Sequence, residues 1–358
     1  MKRDKHLFEK LISDENILEA IDEVNKTHRT QHGRKNKIVA WVERTKSERV
    51  IRLRNMVLDG FYNTPSKKKT IWDKSARKFR EICEPPIWPD QYIHHMIIQV
   101  LKPVMMRGMD PWCCGSIPGR GQSYGVTGIK KWIKYDRKNT KYCAELDIRH
   151  FYDSILPDIV MARMNELIKD KRMIDTIYRI VKDGIQIGSY SSQWFANTIL
   201  QPLDHYIREV LKIKHYIRYM DNLTLFGCNK RKLATAVRRI KRWLNEHQLE
   251  LKHTWQIFPV EKRAVNALGF RFFKNGKIIL RKHTLLVLKR KLRKIDKRIS
   301  VNKKISCKDA SGMLSRLAML DNCNSINIRK KYIQKGLRKY LRNTVSFYYK
   351  SKKKIKST

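Results

Sequence analysis

Two aspartates in this 358-residue chain stand where a hard cation could be held. Asp147 closes an apolar run, Tyr142-Cys-Ala-Glu-Leu-Asp147, and the aromatic pair Phe151 and Tyr152 follows at an expected helix start. Asp221 lies within His215-Tyr-Ile-Arg-Tyr-Met-Asp221-Asn222-Leu-Thr-Leu-Phe-Gly227, where apolar and polar residues alternate on both sides of Asp221-Asn222. That period of two predicts half-buried strands, and an Asp-Asn pair tolerates the left-handed angles of a tight turn. Most aspartates in hairpin turns only make the turn. Two strands that each deliver a carboxylate to one sheet edge can do more. They can hold two Mg2+ ions about 4 Å apart, the arrangement used for in-line phosphoryl displacement.

The elements that must position these residues are legible around them. Leu7 to Val24 shows helical spacing, with Asp14 placed to cap a second start at Glu15. A basic connector, Lys26 to Lys37, leads to a helical pattern over Ile38 to Leu58. Thr64 to Lys74 predicts a loop or hairpin tip, and Asp90 to Met105 a helix. Gly184 to Gln193 precedes a long helix over Trp194 to Leu211, capped by Ser191 or Ser192 and kinked at Pro202. Lys230 to Gln248 predicts a basic amphipathic helix, and Ala267 to Phe273 with Asn275-Gly276 a hairpin. After Leu280 the pattern is helical, with 25 Lys or Arg against only Asp296, Asp309 and Asp321. Lys350 to Thr358 is expected to be disordered.

Composition narrows the partners. Lys and Arg number 79 against 33 Asp and Glu, a formal net charge of +46, far beyond what solubility needs. A polyanion is the expected partner, and aromatic residues interleaved with the charge favour nucleic acid over a membrane surface. The seven cysteines show no Cys-x-x-Cys pair. Free thiols in a cytoplasmic protein without a membrane span are the expectation.

Taken in order, Asp147, the segment around Gly188 and the Tyr219-Met-Asp-Asn222 hairpin resemble the reverse transcriptase family, over roughly Phe79 to Phe273. The resemblance implies an α+β right-hand polymerase with fingers, a palm with an antiparallel sheet, and a helical thumb. It implies an N-terminal helical extension over 1–60, fingers over 61–140 with 156–183 as inserted helices, a palm over 141–276, and a basic thumb and tail over 277–358. Asp147 and Asp221 would be the Mg2+ ligands (Mn2+ as an alternative), with the Ile148 backbone carbonyl, and Asn222 the third catalytic position. Lys78 and Arg80 would clamp the triphosphate of the incoming dNTP, for which a planar guanidinium is suited. Tyr152 would act as a steric gate against a 2′-hydroxyl, so that the product is DNA. Ile187, Gly188 and Gln193 would border the nascent pair. Arg120, in Gly115 to Gly121, would touch a template phosphate, and the Ala267 to Phe273 hairpin would grip the primer. Lys252 is a candidate general acid, with a plain surface lysine as the commoner role.

Two departures from the family pattern shape the functional reading. Gln186-Ile187-Gly188 stands where retroviral and group II intron enzymes have Pro-Gln-Gly, a form that resembles the enzymes of diversity-generating retroelements. In that group an aliphatic residue here goes with misincorporation opposite template adenine, since Ile187 cannot hydrogen-bond the incoming nucleotide. An RNA template, a DNA or RNA primer and a basic accessory protein are then implied partners. Asn222 replaces a second aspartate, which lowers affinity for a hard cation. It leaves open a weakened RNA-binding scaffold, and a phage-defence or other retroelement enzyme is a further alternative. Val126-Thr-Gly128 resembles a retron tripeptide but precedes the palm, which disfavours a retron.

Overall fold

Ser13 starts the first long helix, α1 (Asp14–His28), its hydroxyl accepting the Asn16 N–H at 3.3 Å. A serine oxygen satisfies an otherwise orphaned helical donor, so Ser13 takes the capping role expected of Asp14. The expected Leu7 to Val24 helix thereby divides in two, Leu7–Leu11 and α1. The computed structural model describes residues 4–31, 34–73, 78–301 and 303–354. The chain divides into two compact units, Met1–Gly121 with Ala144–Ile257, and Gln122–Cys143 with Phe258–Thr358.

In the first unit, Ile17, Ala20, Ile21 and Val24 of α1 are fully buried against α2 (Tyr92–Arg107), which returns Ile93, Ile97 and Leu101. The segment expected as a loop or hairpin tip, Thr64 to Lys74, contributes one arm of a hairpin, β1 (Lys67–Asp73), paired antiparallel with β2 (Lys78–Glu84). Cross-strand pairs account for it. Trp72 meets Phe79 edge to face at 4.8 Å, while Lys68 and Lys69 reach Glu81 and Glu84 at 3.2 and 3.3 Å. The helix expected over Trp194 to Leu211 begins earlier and is broken. It runs as α3 (Tyr190–Ile199), then Gln201–His205 and a π-turn over Tyr206–Val210. Pro202 lacks an N–H and its ring crowds the carbonyl four residues back, that of Thr198, so the helix is interrupted at Leu200.

A four-stranded sheet carries the aspartates. Its strands are β3 (Tyr142–Asp147), β4 (Tyr216–Tyr219), β5 (Asn222–Gly227) and β6 (Gln256–Pro259), in the order β4-β5-β3-β6. Behind β5 lies α4 (Lys230–Glu246), whose buried stripe is Leu233, Ala236, Val237, Ile240 and Leu244.

The second unit contains a three-stranded sheet of β7 (Val265–Ala267), β8 (Phe270–Phe272) and β9 (Ile278–Leu280), with β8 central. Leu268 and Gly269 both have positive φ, as a two-residue turn matched to strand twist requires. Asn275-Gly276 makes the next turn, with Phe273 donating to the Lys277 carbonyl at 2.9 Å. Helices Lys282–Ser300, Cys307–Met319 and Leu337–Lys354 follow. The last continues into the stretch expected to be disordered, of which 355–358 lie outside the described residues. All seven cysteines are free thiols, and among the described residues no helix is long and apolar enough to cross a membrane.

Candidate active site

The hairpin that presents Asp221 turns one residue earlier than its sequence suggested. Tyr219 pairs with Asn222, so Met220 and Asp221 form the turn, with Met220 at φ +55. Gly115 makes this possible, because a Cβ there would lie 2.7 Å from the Met220 nitrogen. The turn rests on a buried ion pair that the alternating pattern did not reveal. Arg218 and Asp204 are both fully buried, joined at 2.6 and 2.8 Å. The guanidinium also donates to Asn197 Oδ1 at 2.9 Å and to the Met220 carbonyl at 3.3 Å, and Asn197 in turn donates to the Gly115 carbonyl. Tyr216 donates its hydroxyl to Asp204 at 2.7 Å. Removing one partner of such a pair typically costs about 3–5 kcal/mol, because the other charge is left buried alone. The sequence did carry a signal: a single arginine within an otherwise apolar strand, and a single aspartate in the preceding helical segment.

Asp147 reaches the same place from β3. The neighbouring Ile148 donates its N–H to the Asp221 carbonyl at 3.0 Å, and its bridge to Leu251 fixes it from the other side. Lys252 holds Asp147 doubly, its N–H on the carbonyl at 2.9 Å and its ammonium on the carboxylate at 2.5 Å. The lysine assigned the weakest role in the sequence is thus in direct contact with the first aspartate. Burial, then the charge of Asp147, raises the Asp221 carboxyl above the ordinary range. Asn222 donates its amide to Asp221 Oδ1 at 2.9 Å, so it orients the carboxylate without adding charge. Tyr152 faces this pair, its phenol pushed up to about 12 by burial and by Asp221. Phe151 is the core aromatic of the two, 3% exposed.

Of the remaining candidates, Ile187 and Gly188 lie against β2. Cys83 on β2 donates its N–H to the Ile187 carbonyl at 2.8 Å. Gly188, at φ +119, packs so closely that a Cβ would sit 2.0 Å from the Cys83 carbonyl oxygen. Arg80 is exposed on β2 opposite Ile71, and the Lys78 side chain lies outside the described residues. Gln193 is exposed in the first turn of α3. Arg120 is turned onto the Asp110 carbonyl at 2.8 Å.

Among the described residues no three His, Cys, Asp or Glu side chains gather as a metal cluster. The donor set at Asp147, Asp221 and the Ile148 carbonyl is nevertheless all hard oxygen, and a divalent cation would offset the burial and the Asp147 charge that lift Asp221. That chemistry fits Mg2+, which keeps several waters or phosphate oxygens beside one or two carboxylates. A carboxyl whose folded pKa is raised weakens the fold when ionised, and the penalty fades as pH falls through that raised value. Asp221→Asn should therefore raise the melting temperature at neutral pH in metal-free buffer, with a shrinking gain toward acid pH. An unchanged or lower melting temperature at neutral pH would contradict a carboxyl held above its ordinary range by burial and by Asp147.

Comparison with known proteins agrees with this geometry. Residues 67–272, more than half of the chain, match the family described as "Reverse transcriptase (RNA-dependent DNA polymerase)". No curated protein matches the chain. A solved structure of telomerase from Candida albicans, in complex with a fragment of telomeric RNA, is similar at 11% identity and a TM-score of 0.50, covering 88% of this chain and 68% of that one. Apo telomerase from Candida tropicalis, truncated from its C-terminal domain, gives 12% identity and a TM-score of 0.45, covering 60% of this chain and 55% of that one. The chain thus spans a little over half of the truncated telomerase and about two thirds of the other. The fold is the α+β right-hand polymerase fold, and the chain belongs to the reverse transcriptase family.

Proposed function

We propose that this protein is an RNA-directed DNA polymerase that extends a DNA or RNA primer on an RNA template, with Asp147 and Asp221 at its catalytic centre. The observation that carries the reading is that Asp147 closes β3 next to the β4–β5 turn that presents Asp221, with the Ile148 N–H donating to the Asp221 carbonyl at 3.0 Å. Asp147, Asp221 and the Ile148 carbonyl would hold Mg2+ or Mn2+, which when bound supplies Lewis-acid stabilisation of charge developing on the phosphates. Asn222 fixes the rotamer of Asp221 through its amide. Lys252 balances the charge of Asp147 in the free protein and is placed to give a proton to departing pyrophosphate. Tyr152, beside Asp221, excludes a ribose 2′-hydroxyl. Lys78 and Arg80 bind the triphosphate, with Ile187, Gly188 and Gln193 bordering the pair.

Within this reading, residues 61–140 and 156–183 act as fingers, 141–276 as palm and 277–358 as a thumb on the duplex backbone, after an N-terminal extension over 1–60. Binding through so basic a surface is salt-dependent and largely blind to sequence. Ile187 supports the finer assignment, a cytoplasmic diversity-generating retroelement enzyme that misreads template adenine with a basic accessory protein. An aliphatic side chain cannot police the nascent pair by hydrogen bonding. A second reading, a catalytically weakened RNA-binding scaffold, is favoured by Asn222 alone.

Asp147→Ala or Asp221→Ala should lower primer extension by about 10³-fold or more while RNA affinity stays within about twofold. Extension that survives either substitution would place the chemistry elsewhere. Asn222→Asp should preserve or raise extension in Mg2+, whereas a degenerate scaffold would gain nothing. Sequencing cDNA made on a defined template should show errors concentrated at adenines; uniformly low error there would remove the retroelement assignment but not the polymerase.

A further inference from the structure

Two consecutive histidines on α2, His94 and His95, are buried at 3% and 8% exposure, yet take no part in the carboxylate site. Asn63 fixes the state of the first. Its amide nitrogen donates to the Ile180 carbonyl at 2.6 Å, so its oxygen faces His94 and must accept from Nε2–H at 2.8 Å. Nδ1 of His94 is then a bare acceptor, and it receives the hydroxyls of Ser189 at 2.8 Å and Ser191 at 2.9 Å. His95 stacks flat on Tyr190, the residue between those serines, with ring centroids 3.8 Å apart. Burial holds both imidazoles neutral, with pKa values lowered to about 4. Each of three consecutive residues is therefore gripped by α2.

One local anomaly shows that this grip takes precedence over side-chain capping of α3. Ser189 occupies the N-cap of α3, where a serine hydroxyl ordinarily accepts a backbone N–H, but it makes no cap bond and turns to His94 instead. Immediately upstream, Ile187 and Gly188 are held on the opposite side by β2, through the Cys83 N–H and the close approach at Gly188. The loop thus lies between two fixed supports, and β2 is also the strand that carries Arg80.

We propose that His94 and His95 form a positioning clamp that fixes the Ile187–Gly188 loop against β2, and thereby sets how tightly the incoming nucleotide is held. The inference rests on the reading of this loop as one wall of the nucleotide site. A displacement of about 1 Å in such a wall is enough to change turnover or binding many-fold. Because the clamp holds the Ser189, Tyr190 and Ser191 side chains rather than that of Ile187, it supplies order to the loop independently of what occupies position 187.

His94→Phe keeps the ring volume and removes both hydrogen-bonding edges; Ser189→Ala/Ser191→Ala removes the donors and leaves His94 in place. In either variant, hydrogen exchange at the Cys83 amide and across 187–192 should rise about tenfold, with the 216–227 hairpin unchanged. The KM for the incoming dNTP should rise about tenfold while kcat stays within about twofold. His94→Asn, whose amide oxygen can accept from the serines, should recover most of both effects. Unchanged exchange at Cys83 would overturn the clamp, and loosened exchange with an unchanged KM would overturn its role in nucleotide binding. If the wild-type protein extends no primer at all, the polymerase reading fails, while the exchange measurement still decides whether the clamp exists.

Discussion

Holding two carboxylates together, Asp147 at the end of β3 and Asp221 in the adjacent β4–β5 turn, is the constraint on which this site depends. Left in water, Asp147 and Asp221 would separate. Here the Ile148 N–H ties β3 to the Asp221 carbonyl, and burial strengthens the charge of each on the other. The free protein offsets the strain locally, by an ammonium on Asp147 and an amide on Asp221. Such an arrangement has little structural value of its own.

Holding that turn in place requires support that is itself charged and buried. Arg218 and Asp204 lie beneath the hairpin without access to water, and their remaining hydrogen-bonding capacity goes to Asn197, Tyr216 and the backbone of the turn. A pair of apolar residues would fill the same volume. It would not bind the Met220 carbonyl, and the tip would lose the contact that orients it. The same logic recurs at the Ile187–Gly188 loop, where neutral buried histidines hold the serines that follow it and a glycine that admits no Cβ packs on β2.

The sequence carried the two aspartates, the aromatic pair after Asp147, and the basic helical C-terminal region, because these rest on local pattern and residue chemistry. Asn275-Gly276 and the stripe of the Lys230–Glu246 helix were legible for the same reason. What escaped it depends on partners far along the chain. Lys67 to Lys69 look like a loop or hairpin tip until Glu81 and Glu84 stand opposite them. Arg218 reads as the polar face of a strand until Asp204 is brought beneath it. The turn register slipped by one residue because Gly115, over a hundred residues upstream, admits Met220 in a left-handed conformation. Serine capping shifted likewise: Ser189 sits at the cap, but His94 takes its hydroxyl.

The central claim is that Asp147 and Asp221 jointly hold divalent cations at the point of chemistry. Anomalous diffraction from crystals of the protein with a primer–template, a non-hydrolysable dNTP and Mn2+ addresses it most directly. The account predicts manganese peaks bonded to both carboxylates and to the triphosphate. Manganese bound elsewhere, with either aspartate turned away from the nucleotide, would contradict it.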